Sequence, residues 1–532
     1  MANVMPSART SKVVVKTHLG DIEGLRDTVL RYDEFRGIPF GETTAGEARW
    51  AEPRPKAPWA PAVLDATRWG NGCPSNSARI SDAGNPYDED CLNLNIWRPA
   101  NTSQTLPVIV WIHGGGFMSG DAADQLYNGR YYALSPESPV VFVGINYRLG
   151  PLGFLKTSKL SGNYGILDQQ LALRWVRDHV LNFGGDPARV TIMGQSAGAN
   201  SVLVHMVSPG SRGLFAQGIA RSPVGVAYRD TKQALKHAKM LAHMLFCQVD
   251  DLKCLRSRSA STINSQKLDI AEYVGHLTDE NTGINWLPWV PTVDEDVLPG
   301  QPHELILSGD FARVPLMIGT VRNESAIWTE EILSGALKMV GRPLYDAVVR
   351  LEFGAQAAAK VHAKYDEVSG SYTNRTSILV TDYLFTCYSR TLARAVASFN
   401  LPVYAYLFLH NPSKESDPTN KGQRDCGNGQ AACHAADNLY TFNTTSLVPG
   451  ASLTLLEKAI TEGILQTTAA FAHATSGTDG SPLMSGWKQY DPSVDNYWTW
   501  GSIHPFSKDV NGTASEYHNE LCNFWDGVGY MR

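Results

Sequence analysis

The chain has 532 residues, of which 43% are hydrophobic, 10% aromatic and 18% charged, ample material for a buried core. A formal net charge of −6 without any Lys/Arg block excludes the electrostatic footprint of a nucleic-acid or acidic-membrane binder. No apolar run reaches the ~18 residues that a bilayer crossing needs, so the partner these numbers leave is a small neutral molecule.

The opening, "MANVMPSARTSKVVVK", lacks the apolar stretch of a secretion signal, and residues 1–11 read as a disordered lead-in. The first ~160 residues are rich in β-formers: "KVVVKTHLG", "LNLNIW", "LPVIVWIHGGG" and "PVVFVGINYRLG" predict strands, the last two buried on both faces. "GILDQQLALRWVRDHVLNFGG" has the spacing of a long amphipathic helix stopped by Gly184 and Gly185. Strands and helices then alternate. "RVTIMG" is followed by a helix from Ala197 to the Pro209–Gly210 stop, and "FAQGIARS", "VPLMIGT" and "PVYAYLFLH" predict further strands. Helical stretches near 231–246, 330–366, 376–398 and 453–475 would cover the sheet and roof the carboxyl ends of its strands, where ligands bind. No repeat, low-complexity tract or linker divides the chain, which predicts one α/β domain over 1–532 with a mostly parallel central sheet.

The chemistry concentrates at "RVTIMGQSAGAN". Ser196 falls at a strand-to-helix corner, where backbone strain and close chain approach favour Gly194 and Gly198 and lift the hydroxyl clear of the sheet. With 47 glycines in the chain, G-x-S-x-G alone is weak; the flanking strand and helix make it specific. A serine nucleophile needs a base and an acid to orient that base. Among fourteen histidines, His434 in "AACHAADNLYTF" follows a Gly/Gln/Ala loop and precedes an Asp437 that could tie the loop down. Glu324, just past the strand "VPLMIGT", supplies an acid in the chain order serine, acid, histidine. The glycines of "WIHGGGFMSG" can turn N–H groups into a cleft, which makes Gly115, Gly116 and Ala197 the candidate oxyanion donors.

Eight cysteines allow on the order of a hundred pairings, and the absence of C-x-x-C argues against zinc or thioredoxin-like chemistry. Cys247 and Cys254 lie close in sequence, as do Cys426 and Cys433; Cys73 and Cys91 flank a polar loop, and Cys387 and Cys522 remain. Spacing alone leaves buried thiols as an alternative to bridges. Sequons at Asn101, Asn323, Asn374, Asn443 and Asn511 are near chance in number.

"GNYGILDQQLALRWVRDHVLNFGGDPARVTIMGQSAGA", "NYRLGPLGFL", "EDCLNLNIW" and "HGGGF" resemble the type-B carboxylesterase family, which includes cholinesterases and fungal lipases. The resemblance runs from "VVVKTHLGDIEGL" to "LCNFWD" and implies an α/β-hydrolase fold, with large insertions roofing the site. It implies Ser196 as nucleophile, His434 as base, Glu324 as acid and Gly115, Gly116 and Ala197 as oxyanion hole, with no metal or cofactor. Family-like positions imply Cys73–Cys91, Cys247–Cys254 and Cys387–Cys522. That leaves Cys426 and Cys433, whose intervening "GNGQAA" has two glycines and can turn back to close a bridge beside the base. Such bridges imply an oxidising setting, hence a secreted glycoprotein, with a cytoplasmic enzyme as the alternative.

Departures from the family narrow the substrate. The Cys73–Cys91 loop, "PSNSARISDAGNPYDED", lacks the tryptophan with which cholinesterases bind quaternary ammonium, and it is too short and polar for a lipase lid. Ser325 stands after Glu324 where the family usually has glycine, which puts the local backbone angle in question. Trp286, Leu287 and Trp328, with Met118, fall where relatives build the acyl pocket, and bulky groups there favour small or flat acyl groups. The expectation is a serine carboxylesterase for small soluble esters, monomer or homodimer. The rivals are an acyltransferase sharing the acyl-enzyme, a lipase or sterol esterase, and a non-catalytic adhesion module of the same fold.

Overall fold

The computed structural model describes residues 10–75, 84–101, 104–266, 287–326, 341–368, 370–413, 415–416, 431–447, 450–474, 487–501, 511–514 and 518–528. Thirteen strands form one sheet: β1 Thr10–Thr17, β2 Gly20–Asp27, β3 Tyr32–Pro39, β4 Val63–Asp65, β5 Asn93–Pro99, β6 Leu106–Ile112, β7 Val141–Ile145, β8 Gly185–Gln195, β9 Gln217–Arg221, β10 Leu316–Val321, β11 Val403–Phe408, β12 Tyr497–Trp500 and β13 Asn511–Ala514. Their spatial order is β1-β2-β3-β5-β7-β6-β8-β9-β10-β11-β12-β13, with β4 beside β2. From β7 to β12 every neighbouring pair is parallel. The edges, β1-β2-β3-β5-β7 and β12-β13, are antiparallel. β1 starts at Thr10, inside the stretch expected to be unstructured, because its full length pairs with β2, Thr10 facing Asp27.

The parallel strands are apolar throughout because both faces are covered. Along β6, Val108, Val110 and Ile112 enter one core while Ile109 and Trp111 enter another. β11 repeats the pattern, with Val403, Ala405 and Leu407 on one side and Tyr404, Tyr406 and Phe408 on the other. The first core is closed by the helices α1 Tyr164–His179 and α2 Ala197–Val207, through Leu171, Ala172, Val176, Val202, Leu203 and Met206. α3 Thr231–Met244, which opens on an Asp230/Gln233 capping box, adds Ala238 and Leu241.

A third, smaller core joins α4 Arg342–Tyr365, α5 Tyr372–Thr381, the start of α6 Cys387–Ser398 and α8 Asn519–Val528, with Trp525 fully buried and the Cys387–Cys522 disulfide across it. The second core lies under α7 Leu455–His473, through Ile460, Ile464 and Phe471. α7 opens on a Thr454/Glu457 capping box. The helix expected over 376–398 is interrupted by a π-helical turn at Asp382–Thr386, and α4 is kinked at Gly354.

Candidate active site

β6 has β7 on one side and β8 on the other, so the chain reverses its direction of travel across the sheet there. Such a switch point leaves a crevice outside the carboxyl ends of the strands. β8 ends at Gln195 and α2 begins at Ala197, which puts Ser196 at the corner with φ 59° and ψ −125°. A non-glycine residue in that region is strained, and it is held there by its surroundings. Its N–H donates to the Arg221 carbonyl at 2.9 Å, and in the next strand-end contact Ser222 donates to the Gly319 carbonyl at 2.7 Å. A Cβ on Gly198 would lie 2.0 Å from the Ile112 carbonyl oxygen, and one on Gly194 would lie 2.3 Å from the Gly198 carbonyl carbon. Glycine at both places is therefore a packing requirement.

The turn after β6 abuts this corner: a Cβ on Gly114 would sit 3.1 Å from the Ser196 Cβ. Gly115 and Gly116 have φ 109° and 63°. The Gly115 carbonyl accepts from the Met118 and Ser119 N–H groups at 3.0 Å, which fixes the turn. Beneath it His113 is fully buried, stacked on Tyr147 and bonded through Nδ1–H to the Gly114 carbonyl at 2.9 Å. Burial pushes its pKa down to about 4, so the turn rests on a neutral ring.

Glu324, buried in the turn after β10, accepts from the Val321 N–H at 2.8 Å through Oε1 and meets His434 Nδ1 at 2.6 Å through Oε2. The two turns are paired by backbone, as Asn323 N–H donates to the Ala432 carbonyl at 2.9 Å within an isolated parallel bridge between Asn323 and Cys433. Asp437 does tie the histidine loop down: its Oδ2 accepts from Arg221 at 2.7 Å, both side chains fully buried. Ser325 keeps a negative φ, so no glycine is required; its hydroxyl donates to the Ser377 carbonyl at 2.7 Å and anchors the acid's turn to α5.

Of the expected pocket residues, Leu287 lies against the glycine turn, where a Cβ on Gly116 would meet its Cδ2 at 2.8 Å. Arg229 holds the Leu287 and Pro288 carbonyls at 2.8 and 2.9 Å. Met118 packs half-buried against the first core. Trp286 and Trp328 lie outside the described residues. Disulfides join Cys73 to Cys91, Cys247 to Cys254 and Cys387 to Cys522. Cys433 is disulfide-bonded as well, and Cys426, the partner its spacing suggests, lies outside the described residues.

Sequence reasoning missed two neighbours of His434. The Gln195 side-chain nitrogen is 3.1 Å from its Nε2, and the Phe385 ring is 5.3 Å from its own. Phe385 comes from the π-helical turn, for which the sequence carried no period signal; Gln195 stood beside Ser196 in the motif but was read only as a spacer.

A doubly covered, mostly parallel sheet with a strained serine corner at its switch point, a glycine turn against it and a Glu–His pair between the turn after β10 and a loop bridged to it defines the α/β-hydrolase class. A model of the carboxylesterase family matches residues 11–525. Acetylcholinesterase of Bungarus fasciatus is 29% identical over 98% of this chain and 87% of its own length. The cAMP-regulated D2 protein of Dictyostelium discoideum is 32% identical over 90% and 87%, and para-nitrobenzyl esterase of Bacillus subtilis (strain 168) is 33% identical over 77% and 80%. The chain belongs to the carboxylesterase family and is a carboxylic ester hydrolase. Among the described residues no helix is long and apolar enough to cross a membrane.

Proposed function

We propose that the protein is a serine carboxylesterase for small, soluble esters, working through an acyl-enzyme. Ser196 Oγ attacks the ester carbonyl carbon as His434 Nε2 takes its proton. Glu324, on Nδ1, keeps the ring in the correct tautomer and stabilises the imidazolium. The N–H groups of Gly115, Gly116 and Ala197 receive the oxyanion, the alcohol leaves with the proton held by His434, and a water activated by the same ring releases the carboxylic acid and restores Ser196. The observation that carries this reading is the 2.6 Å contact between the buried Glu324 carboxylate and His434, on a turn bridged by backbone to the acid's own. Leu287 against Gly116 supports a confined acyl site, and the polar Cys73–Cys91 loop supports soluble substrates over lipid surfaces. The disulfides support an oxidising, extracellular setting.

A profile of kcat/KM over acyl-chain length and alcohol type, with and without acceptor alcohols, tests the reading. Short acyl groups should turn over fastest, with free acid as the product. A rate jump above the solubility limit of a long-chain triglyceride would make the protein a lipase, and new ester formed in preference to acid would make it an acyltransferase.

A further inference from the structure

The neighbour of His434 Nε2 has a consequence for the resting enzyme. Glu324 accepts the Nδ1–H, so the neutral ring carries its lone pair on Nε2, and the amide nitrogen 3.1 Å away belongs to Gln195, which can only donate. Ser196, next in the chain, needs that same lone pair to lose its proton, yet its hydroxyl makes no hydrogen bond among the described residues. Gln195 is itself 2% exposed and ends β8, so its side chain is held at this spot by the strand.

We propose that Gln195 is a positioning residue that occupies His434 Nε2 in the free enzyme and yields it to Ser196 when substrate binds, the reading of His434 as the base being its premise. While the amide donates to Nε2, a protonated ring would turn N–H against N–H, so Gln195 favours the uncharged base before substrate arrives. Glu324 faces Nδ1, the Phe385 ring is apolar, and Asp382 on that same segment is turned to His518 and Tyr365 at 2.6 and 3.0 Å. Asp437, on the histidine's own loop, is bonded by Arg221, and His113 under the glycine turn is uncharged.

The test is the pH dependence of Gln195→Met, which keeps the length and loses the donor, and of Gln195→Glu, which puts an acceptor in its place. The acid limb of kcat/KM, which reports the free enzyme, should move up by about half a pH unit or more in the methionine variant and further in the glutamate variant. The acid limb of kcat, which reports the complex where Gln195 has already yielded, should move less. Thermal melting shows which variants are folded, and either one alone suffices. Unmoved kcat/KM limbs in a folded variant, with Ser196→Ala inactive, would overturn the role of Gln195 alone; an active Ser196→Ala would overturn the reading of the base beneath it.

Discussion

Glu324 and His434 come from turns 110 residues apart and meet at 2.6 Å with the carboxylate wholly buried. In the proposed mechanism a carboxylate in that position orients the ring and stabilises its charged form as the serine proton moves. Glu324→Gln keeps the shape and can present its N–H to Nδ1, which would select the wrong tautomer. Its expected cost is on the order of 10³-fold or more in kcat with little change in KM, measured by steady-state kinetics on a soluble ester. An unchanged kcat would point to another acid. The three residues of the proposed triad could be picked out in the sequence because each sits in its own local context: strand, corner and helix around Ser196, a strand end before Glu324, a glycine-rich loop before His434. Gln195 was not legible as a partner of His434, because a contact across 239 residues leaves no trace in spacing.

At the scale of elements, the histidine loop is pinned at three points: the backbone bridge to Asn323, the disulfide at Cys433 and the Arg221–Asp437 pair at the end of β9. Asp437→Ala would leave the Arg221 guanidinium buried without its counter-charge, which costs about 3–5 kcal/mol. Urea unfolding should show that loss, and kcat should fall with it as the loop gains freedom; wild-type stability would show that the pair holds nothing. Peptide mapping without reduction should recover Cys433 joined to Cys426, whereas an alkylatable Cys433 in protein made in an oxidising compartment would remove that pin. A Cys426–Cys433 bridge would add on the order of 2 kcal/mol from loop entropy. The parallel strands were readable as apolar runs because burial on both faces leaves no other composition. β2, β3 and β12 were not. Their charged or aromatic residues, as in "GDIEGLRD" and "YWTW", resolve into strands only once β1, β5 and β11 pair with them. The π-helical turn inside the predicted 376–398 helix was hidden for the same reason, since its extra residue answers to packing in the third core.

For the whole molecule, burial sets a pH limit. His113, His179 and His303 are pushed down to about 4, and His205 and His237 to about 3, in each case mainly because burial disfavours the charged ring. Above the ordinary histidine value of 6.5 these rings are neutral in the folded and unfolded chains alike. Between 6.5 and about 4 the unfolded chain takes up protons that the folded one refuses, so stability falls as the pH falls through that window. Melting temperatures should therefore drop steadily from pH 7 to pH 4.5. A flat Tm over that range would show that these rings are not held neutral by the fold.

The central claim is that this fold activates one serine, at the switch point of the sheet, to form an acyl-enzyme. A fluorophosphonate ester, which reacts far faster with a serine whose proton a neighbouring base can take than with an unactivated one, reads that claim directly. Incubation with the folded protein followed by peptide mass mapping should find one adduct per chain, on Ser196, with ester turnover lost in step with labelling and no adduct or turnover in Ser196→Ala. An adduct on another residue, or a Ser196→Ala protein that still turns over ester at the wild-type rate, would contradict it.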